Sequence, residues 1–418
     1  MHTGLILRRW VFIRSSAGEK FGRDITSSSP SVIAGAVRAS FAHLGGHRRW
    51  RILVVEKLND WVFGNVDHTE VTRFLKEIEP NGAGTWDQCF AAARIMAALG
   101  LFEASLAYEE RGIQFLDRGN LWGTSRSGEL RKIQSAIHRA DLDGAIGGVR
   151  QFLAHHDSPE KLTFSVLDLL HYVDVWANSS NSKIQSRLIQ ENPSWSDYIS
   201  DKKIALYGPG NVDPATPTIA ASEVVARIAG PGSYSWKSKG DLAKGRANVV
   251  YVIPETLKAL GPNPEERRKT VGHFDFLCIK RGEAPYLPNS RKVEAGSRLF
   301  LRGHPNMVPL AVIDLLRAPG TSVRVIGSDF FASGSSYRPD SIRTTPEGQP
   351  QTIQGSTGNR YDRSTLMASH NAFQNRRLVK NLLDSGRVTG DDAFLKACSL
   401  SDLDYARRLD LHYGQHRL

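Results

Sequence analysis

Cysteine is scarce in this 418-residue chain: Cys89, Cys278 and Cys398 stand alone, odd in number and without metal-ligand spacing. That excludes a disulfide-stapled scaffold and a zinc module, and it fits a reducing compartment. No window approaches the roughly 18 consecutive apolar residues that a membrane-crossing helix needs. The apolar opening Leu5–Ile13 is broken by Arg8 and Arg9, and no small-residue cleavage site follows it, so no signal peptide is expected. Together these absences predict a cytoplasmic protein, with any membrane contact confined to a peripheral one at the inner face. A Walker loop and a dinucleotide-binding glycine fingerprint are also missing, and the first absence argues against a phosphotransferase.

What is present suits a soluble globular protein: 40% of residues are hydrophobic and 23% charged. The length exceeds what one core normally supports, about 250–300 residues, so two domains are expected. Lys and Arg number 54 against 43 Asp and Glu, a net charge of +11. Such an excess can serve nucleic acid, an anionic membrane or an acidic substrate. The basic residues are spread along the chain, with local clusters at Arg48–Arg51 and Arg267–Lys269, and no nucleic-acid-binding signature accompanies them. An anionic lipid surface or a glycan acceptor is the better expectation, and nucleic acid is not expected.

Residues 1–60 carry no readable pattern beyond a Ser/Pro cluster at Ser27–Ser31. From about Glu70 to Ala177 the periodicity is helical, as in Phe90, Ala93, Ile95, Met96 and Leu99, so an α-helical domain is expected over 61–195. Leu99–Tyr108 resembles the turn of a tetratricopeptide-type hairpin, and Ala140–Ile146 echoes it about forty residues later, against the repeat's roughly 34. These predict degenerate helical hairpins, read as plain helix packing or as a partner-binding platform. A polar stretch between Trp176 and Asp201 marks the expected domain boundary near residue 195.

Beyond it, short apolar runs alternate with Gly/Pro turns. Ile204–Tyr207, Val224–Ile228, Asn248–Ile253, Phe274–Ile279 and Val323–Ile326 read as buried strands, with helices at Met307–Ala318 and Asn371–Ser385. This alternation predicts a doubly wound α/β sheet over 196–418. The run Lys203–Tyr207 enters a turn Gly208-Pro209-Gly210-Asn211. A turn of that kind at the end of a strand exposes backbone N–H groups to a phosphate, and it can equally be an ordinary tight turn.

The order of later segments resembles the sialyltransferase family defined by motifs L, S, III and VS, over roughly residues 203–415. Motif L, a strand, a glycine turn and a second strand, matches Ala205–Asn211 followed by Glu223–Ile228. Motif S, a glycine turn, a helix and a strand ending in Gly-x-Asp-Phe, matches Arg302-Gly303-His304-Pro305-Asn306, then Met307–Ala318 and Val323–Phe330. Motif VS, a histidine opening an amphipathic helix, matches His370 through Val388. Three departures stand beside these matches. No cysteine lies in the L or S segments, no Glu lies between His370 and Gly386, and no His lies between His304 and His370 to supply motif III. Tyr337, Arg338 and Tyr361 are the candidate stand-ins for binding the donor phosphate.

The resemblance implies a Rossmann-like open sheet, a variant of the GT-A type, and an inverting transferase. Its donor would be a CMP-activated sialic acid or Kdo-type sugar, and its acceptor a bacterial polysaccharide or lipid-linked oligosaccharide. It also implies neither metal nor cofactor, because CMP leaves as a phosphate monoester and the sugar's own carboxylate supports an oxocarbenium-like transition state. Gly208, Pro209, Gly210 and Asn211 would hold the donor with Arg227 near its phosphate, and Gly303, His304, Pro305 and Asn306 would complete the site.

His370, with Ser369 as a candidate N-cap, would lie in the first turn of a helix, whose positive end disfavours imidazolium. A neutral histidine is what a general base requires, so His370 is the expected base. The bland reading, a histidine that merely starts a helix, stands beside it. His304 and His273 are weaker candidates. Asp141-x-Asp143 and Asp402-x-Asp404 look like a metal motif but sit in helical contexts, where Ser401 and Asp404 form a capping box. The reading from a different class is a non-catalytic adaptor that binds a nucleotide and uses its helices to hold partners.

Overall fold

The computed structural model describes residues 86, 89, 90, 93, 97, 101–118, 125–156, 158–209, 221–229, 247–254, 257, 263–272, 274–280, 286–287, 289–293, 296–301, 305–333 and 371–413. In chain order the helices before the sheet are α1 (Phe102–Arg118), α2 (Arg126–His138), α3 (Leu142–His155), α4 (Phe164–Trp176), α5 (Ser182–Glu191) and α6 (Pro193–Ile199). The strands are β1 (Lys203–Tyr207), β2 (Val224–Ile228), β3 (Val249–Val252), β4 (Phe276–Lys280), β5 (Ser290–Val293), β6 (Ser322–Ile326) and β7 (Val388–Gly390). Among and after them lie α7 (Pro264–Val271), α8 (Met307–Leu315), α9 (Ala372–Asp384), α10 (Asp392–Ser399) and α11 (Asp402–Tyr413). No helix among the described residues is long and apolar enough to cross a membrane.

The chain divides into two compact units, 1–120 with 360–371 and 401–418, and 121–359 with 372–400. In the first, α1 packs on α11. Phe102, Leu106, Ile113 and Leu116 recur at helical spacing and are buried, as are Tyr405, Leu409 and Tyr413. The start of α1 is capped from the other helix: Asp410 accepts from Phe102 N at 2.7 Å and from Glu103 N at 3.0 Å. Trp86, Phe90, Ala93 and Ala97 are helical and buried, and a Cβ on Gly112 would come within 2.8 Å of the Phe90 ring, so only glycine permits that approach. Ser401 caps α11, accepting from Asp404 N at 3.0 Å while its hydroxyl donates to the Asp404 carboxylate at 2.7 Å, a side-chain variant of the expected capping box.

In the second unit the seven strands form one sheet, all neighbours parallel, in the order β5-β4-β3-β2-β1-β6-β7. Helices accompany it, so this is an α/β architecture compatible with a Rossmann-like fold. The central strands are the apolar runs expected from the sequence, and every residue of β3 is buried. The two edge strands were not anticipated. Ser290-Arg291-Lys292-Val293 is polar at its first three positions, and Val388-Thr389-Gly390 is only three residues long. An edge strand needs no continuous apolar run, which removes the signal.

Helices α2 and α3 form a hairpin around Ala140, whose φ of 55° lets the chain reverse, and Asp141 caps α3 by accepting from Gly144 N at 2.9 Å. The expected boundary near residue 195 does not coincide with the division into units. Helices α2 to α6 share a core with the sheet, because their buried polar groups bond to its later helices. Tyr172 donates to Leu378 O at 2.7 Å, Asn381 donates to Ile137 O at 2.9 Å, and His171 bonds Leu316 O at 3.0 Å.

One ionic network binds these layers. Tyr251, Cys278 and Arg291 face each other across β3, β4 and β5. Over them Asp314 of α8 accepts from Arg291 at 2.6 and 3.0 Å and from Tyr251 at 2.8 Å. Burial alone would raise the Asp314 pKa, but the Arg291 guanidinium holds it below the usual carboxylate range. Burial pushes the Cys278 thiol up to about 12, which keeps it protonated and inert. Arg291 also lies 4.4 Å from the Trp195 ring of α6. Arg317 lies 3.8 Å from Asp314, holds Asp168 of α4 at 2.8 and 2.9 Å, and reaches Glu191 of α5 at 2.7 Å.

Removing one member of a buried pair leaves its partner's charge unpaired, at a cost of about 3–5 kcal/mol. Asp314→Ala is therefore expected to lose stability on that scale in chemical denaturation. Lys269→Ala, which breaks the exposed Lys269–Glu265 pair, is expected to change nothing measurable. Similar losses in the two variants would contradict the network's role.

Candidate functional site

The strand order reverses between β1 and β6: the chain builds outward from β1 to β5, then crosses to lay β6 and β7 on β1's other side. In open parallel sheets, ligands bind at the carboxyl edge beside such a reversal. All seven strands are parallel, so their carboxyl ends share that edge.

Gly208 follows β1 directly and donates to Ile326 O at 2.7 Å, extending the ladder one residue past the strand. A Cβ on Gly208 would lie 2.7 Å from Gly327 O and 3.2 Å from Ile326 O, both main-chain atoms that have no freedom to yield. Glycine is what lets the two strand ends approach. Across from it, Gly327 takes φ of 68° and donates its N–H to Asp391 Oδ2 at 2.7 Å, while Asp391 Oδ1 caps α10 by accepting from Phe394 N at 2.9 Å.

The next residues carry backbone strain. Phe330 and Phe331 have φ of 49° and 69°, the left-handed region that side-chain-bearing residues avoid. Asp329 holds them there by accepting from Phe331 N at 2.9 Å and Ser333 N at 3.0 Å, and Phe330 packs on the Phe394 ring 6.0 Å away. Strain of about 1–3 kcal/mol per residue is tolerated where the surroundings over-determine the chain, and it clusters at functional sites. Asp329, at the end of the strand resembling motif S, is thus committed to shaping its own turn.

Arg227, paired in register with Tyr207, holds its guanidinium 6.0 Å from the Tyr207 ring, one residue before the end of β2. Further along the same edge, Asn306 caps α8, its Oδ1 accepting from Met307 N at 2.8 Å. Its own N–H donates to Asn375 Oδ1 at 2.6 Å, in the first turn of α9. Pro305 O accepts from Lys280 Nζ at 2.5 Å, at the end of β4, and Leu301 N donates to Gln374 Oε1 at 3.1 Å.

Of the residues expected from the sequence, Gly208, Pro209, Arg227, Pro305 and Asn306 stand on this edge. Gly210, Asn211, Gly303, His304 and His370 lie outside the described residues, as do His273, Tyr337, Arg338 and Tyr361. In the chain, His370 stands two residues before α9 begins. Sequence reasoning missed Asp391, Lys280, Gln374 and Asn375. Asp391 was findable as an N-cap three residues before Phe394; the other three carry no local pattern. Among the described residues no group of three or more metal-ligating side chains is assembled.

No protein-family model matches the chain, and no curated protein matches it. Among solved structures it is similar to two crystal forms of LpoA from Haemophilus influenzae. The first, of the full-length protein, has 10% identity and a TM-score of 0.16, covering 91% of this chain and 92% of that one. The second has 11% identity and a TM-score of 0.15, covering 89% and 93%. Superposition at that level transfers neither fold nor function.

Because only main-chain atoms meet the added methyl group, Gly208→Ala has to part β1 from β6 at the reversal. The expected result is a loss of about 1–3 kcal/mol, as for other overpacked sites. A variant as stable as wild type in urea would show that the approach of the two strand ends is not needed.

Proposed function

We propose that this protein is an inverting, metal-independent glycosyltransferase. It moves a sialic acid or Kdo-type sugar from a CMP-activated donor to a surface polysaccharide or lipid-linked oligosaccharide, acting in the cytoplasm or at the inner face of the cell membrane. The observation that carries the reading is the shared edge. Gly208 and Pro209 after β1, and Pro305 and Asn306 before α8, which the motif order assigns to the donor, lie at the carboxyl ends of a parallel sheet with a strand-order reversal. Asn306 also bonds to Asn375 in the first turn of α9.

In this reading Gly208–Asn211 and Gly303–Asn306 hold the donor, as the motif order implies, and Arg227 offsets charge on the phosphate. His370 takes the proton of the acceptor hydroxyl as its oxygen attacks the anomeric carbon. The bond from that carbon to the phosphate oxygen breaks, and CMP leaves with the electron pair. The leaving group already carries its charge on phosphate, so no metal is required to stabilise it.

A ligand that binds only the folded state raises its stability according to concentration over Kd. CMP is therefore expected to raise Tm more than UMP or GMP does, and equal shifts for the three would remove the basis for a CMP donor. EDTA is expected to leave turnover unchanged, whereas loss restored by manganese would overturn the metal-independent mechanism. His370→Ala is expected to lower kcat by about 10²–10⁴-fold with little change in CMP affinity and Tm. A stable and fully active variant would end its assignment as the base.

A further inference from the structure

Asp391 serves two elements at once. It follows β7, and its own N–H donates to Val325 O at 3.0 Å, which sets it beside the end of β6. Its Oδ1 caps α10 by accepting from Phe394 N at 2.9 Å, and its Oδ2 accepts from Gly327 N at 2.7 Å, one residue past β6. The helix lies close on β7 there, since a Cβ on Gly390 would collide with the Phe394 ring. That ring also packs 6.0 Å from the ring of Phe330. The start of α10 thus touches the exit of β6 at two places, Gly327 and Phe330.

A cap alone does not call for a carboxylate. Asn and Ser cap helices as well as Asp does, and in this chain Asn181, Asn192 and Asn263 cap α5, α6 and α7. Accepting from two separate N–H groups, one on each oxygen, is what the carboxylate adds. The second N–H belongs to Gly327, whose φ of 68° turns the chain out of the sheet. Gly327 O lies against Gly208 closely enough to exclude a Cβ there, so any shift of Gly327 is felt at the end of β1. Asp329 fixes the far end of the same turn by accepting from Phe331 N and Ser333 N. Held from both ends, the turn keeps the left-handed backbone of Phe330 and Phe331 without relaxing.

We propose that Asp391 is a positioning residue: it locks Gly327 and, through Gly327 O, holds Gly208 and Pro209 at the end of β1 in the geometry that receives the CMP-activated donor. This inference rests on the functional reading above and gives Asp391 no contact with substrate. Misplacing a binding group by about 1 Å is enough to cost some 100-fold in rate, so loss of the Gly327 bond has consequences beyond stability. The two tasks of Asp391 are separable, because a neutral side chain with one acceptor keeps the cap and gives up the bond to Gly327.

The test uses the full chain with the variants Asp391→Asn and Asp391→Ala. Ser125→Ala, which removes a cap of the same kind from α2, is the control. Hydrogen exchange is followed at the Gly327 and Phe394 amides, and kcat and KM are measured with CMP-sialic acid or CMP-Kdo, whichever the wild type cleaves. Asp391→Asn is expected to speed exchange at Gly327 and leave Phe394 protected, and Asp391→Ala to speed both. Both variants are expected to raise the donor's KM at least about tenfold. Ser125→Ala is expected to lose stability with KM unchanged, because a smaller folded fraction lowers apparent kcat alone. Unchanged exchange at Gly327 in both variants overturns the proposal, and so does faster exchange with a wild-type KM. An equal rise in KM for Ser125→Ala overturns it too, by reducing the effect to general stability. A wild type that cleaves neither donor sinks the functional reading and this inference with it. A wild type that cleaves one, with unchanged KM in the Asp391 variants, sinks the positioning role alone. Should Asp391→Ala fail to fold, Asp391→Asn decides by itself.

Discussion

The pairing of Asp314 with Arg291 is the interaction on which the rest of the second unit depends. Asp314 sits on α8 and Arg291 on the edge strand β5, and the bidentate contact between them is fully buried. A charge in that position is tolerable only while its partner remains, so the pair fixes α8 over β3, β4 and β5. Through Arg317 the same network reaches Asp168 and Glu191, which ties α4 and α5 to the sheet. The carboxyl edge inherits this geometry, because α8 carries Asn306 as its N-cap and thereby places Pro305 and Asn306 there.

The core of the sheet was legible from residues alone. Val249–Val252 and Ile204–Tyr207 are continuous apolar runs bounded by turns, and burial on both faces of a parallel sheet demands that pattern. The polar edge strand Ser290–Val293 was hidden because pairing on one side only relaxes the demand. The helices up to Ile199 looked like a separate domain, since their periodicity says that they bury a face without saying against what. Arg317 and Asp168 settle that question by pairing at 149 residues' separation, a relation that no local pattern encodes.

The candidate site was half legible for a similar reason. Gly208 was visible as a glycine ending an apolar run, and its proximity to Gly327 follows once β1 and β6 are neighbours. Asn306 was expected at the donor site, but its capping of α8 was not anticipated. Lys280, Gln374 and Asn375 were not legible, because a polar side chain inside an element is ordinarily read as solvent-facing. Their burial against backbone groups of Leu301, Pro305 and Asn306 is a property of the assembled unit. The strain at Phe330 and Phe331 was likewise invisible, since neither residue type signals a left-handed backbone.

In the proposed function the carboxyl edge beside the β1–β6 reversal binds a CMP-activated sugar and the protein cleaves the sugar's bond to phosphate. The most direct measurement is CMP release when the purified protein is incubated with CMP-sialic acid and, separately, with CMP-Kdo. The account predicts release from one of the two donors well above the spontaneous rate, accelerated by an acceptor glycan. Spontaneous-rate release from both donors, with or without acceptor, would contradict it.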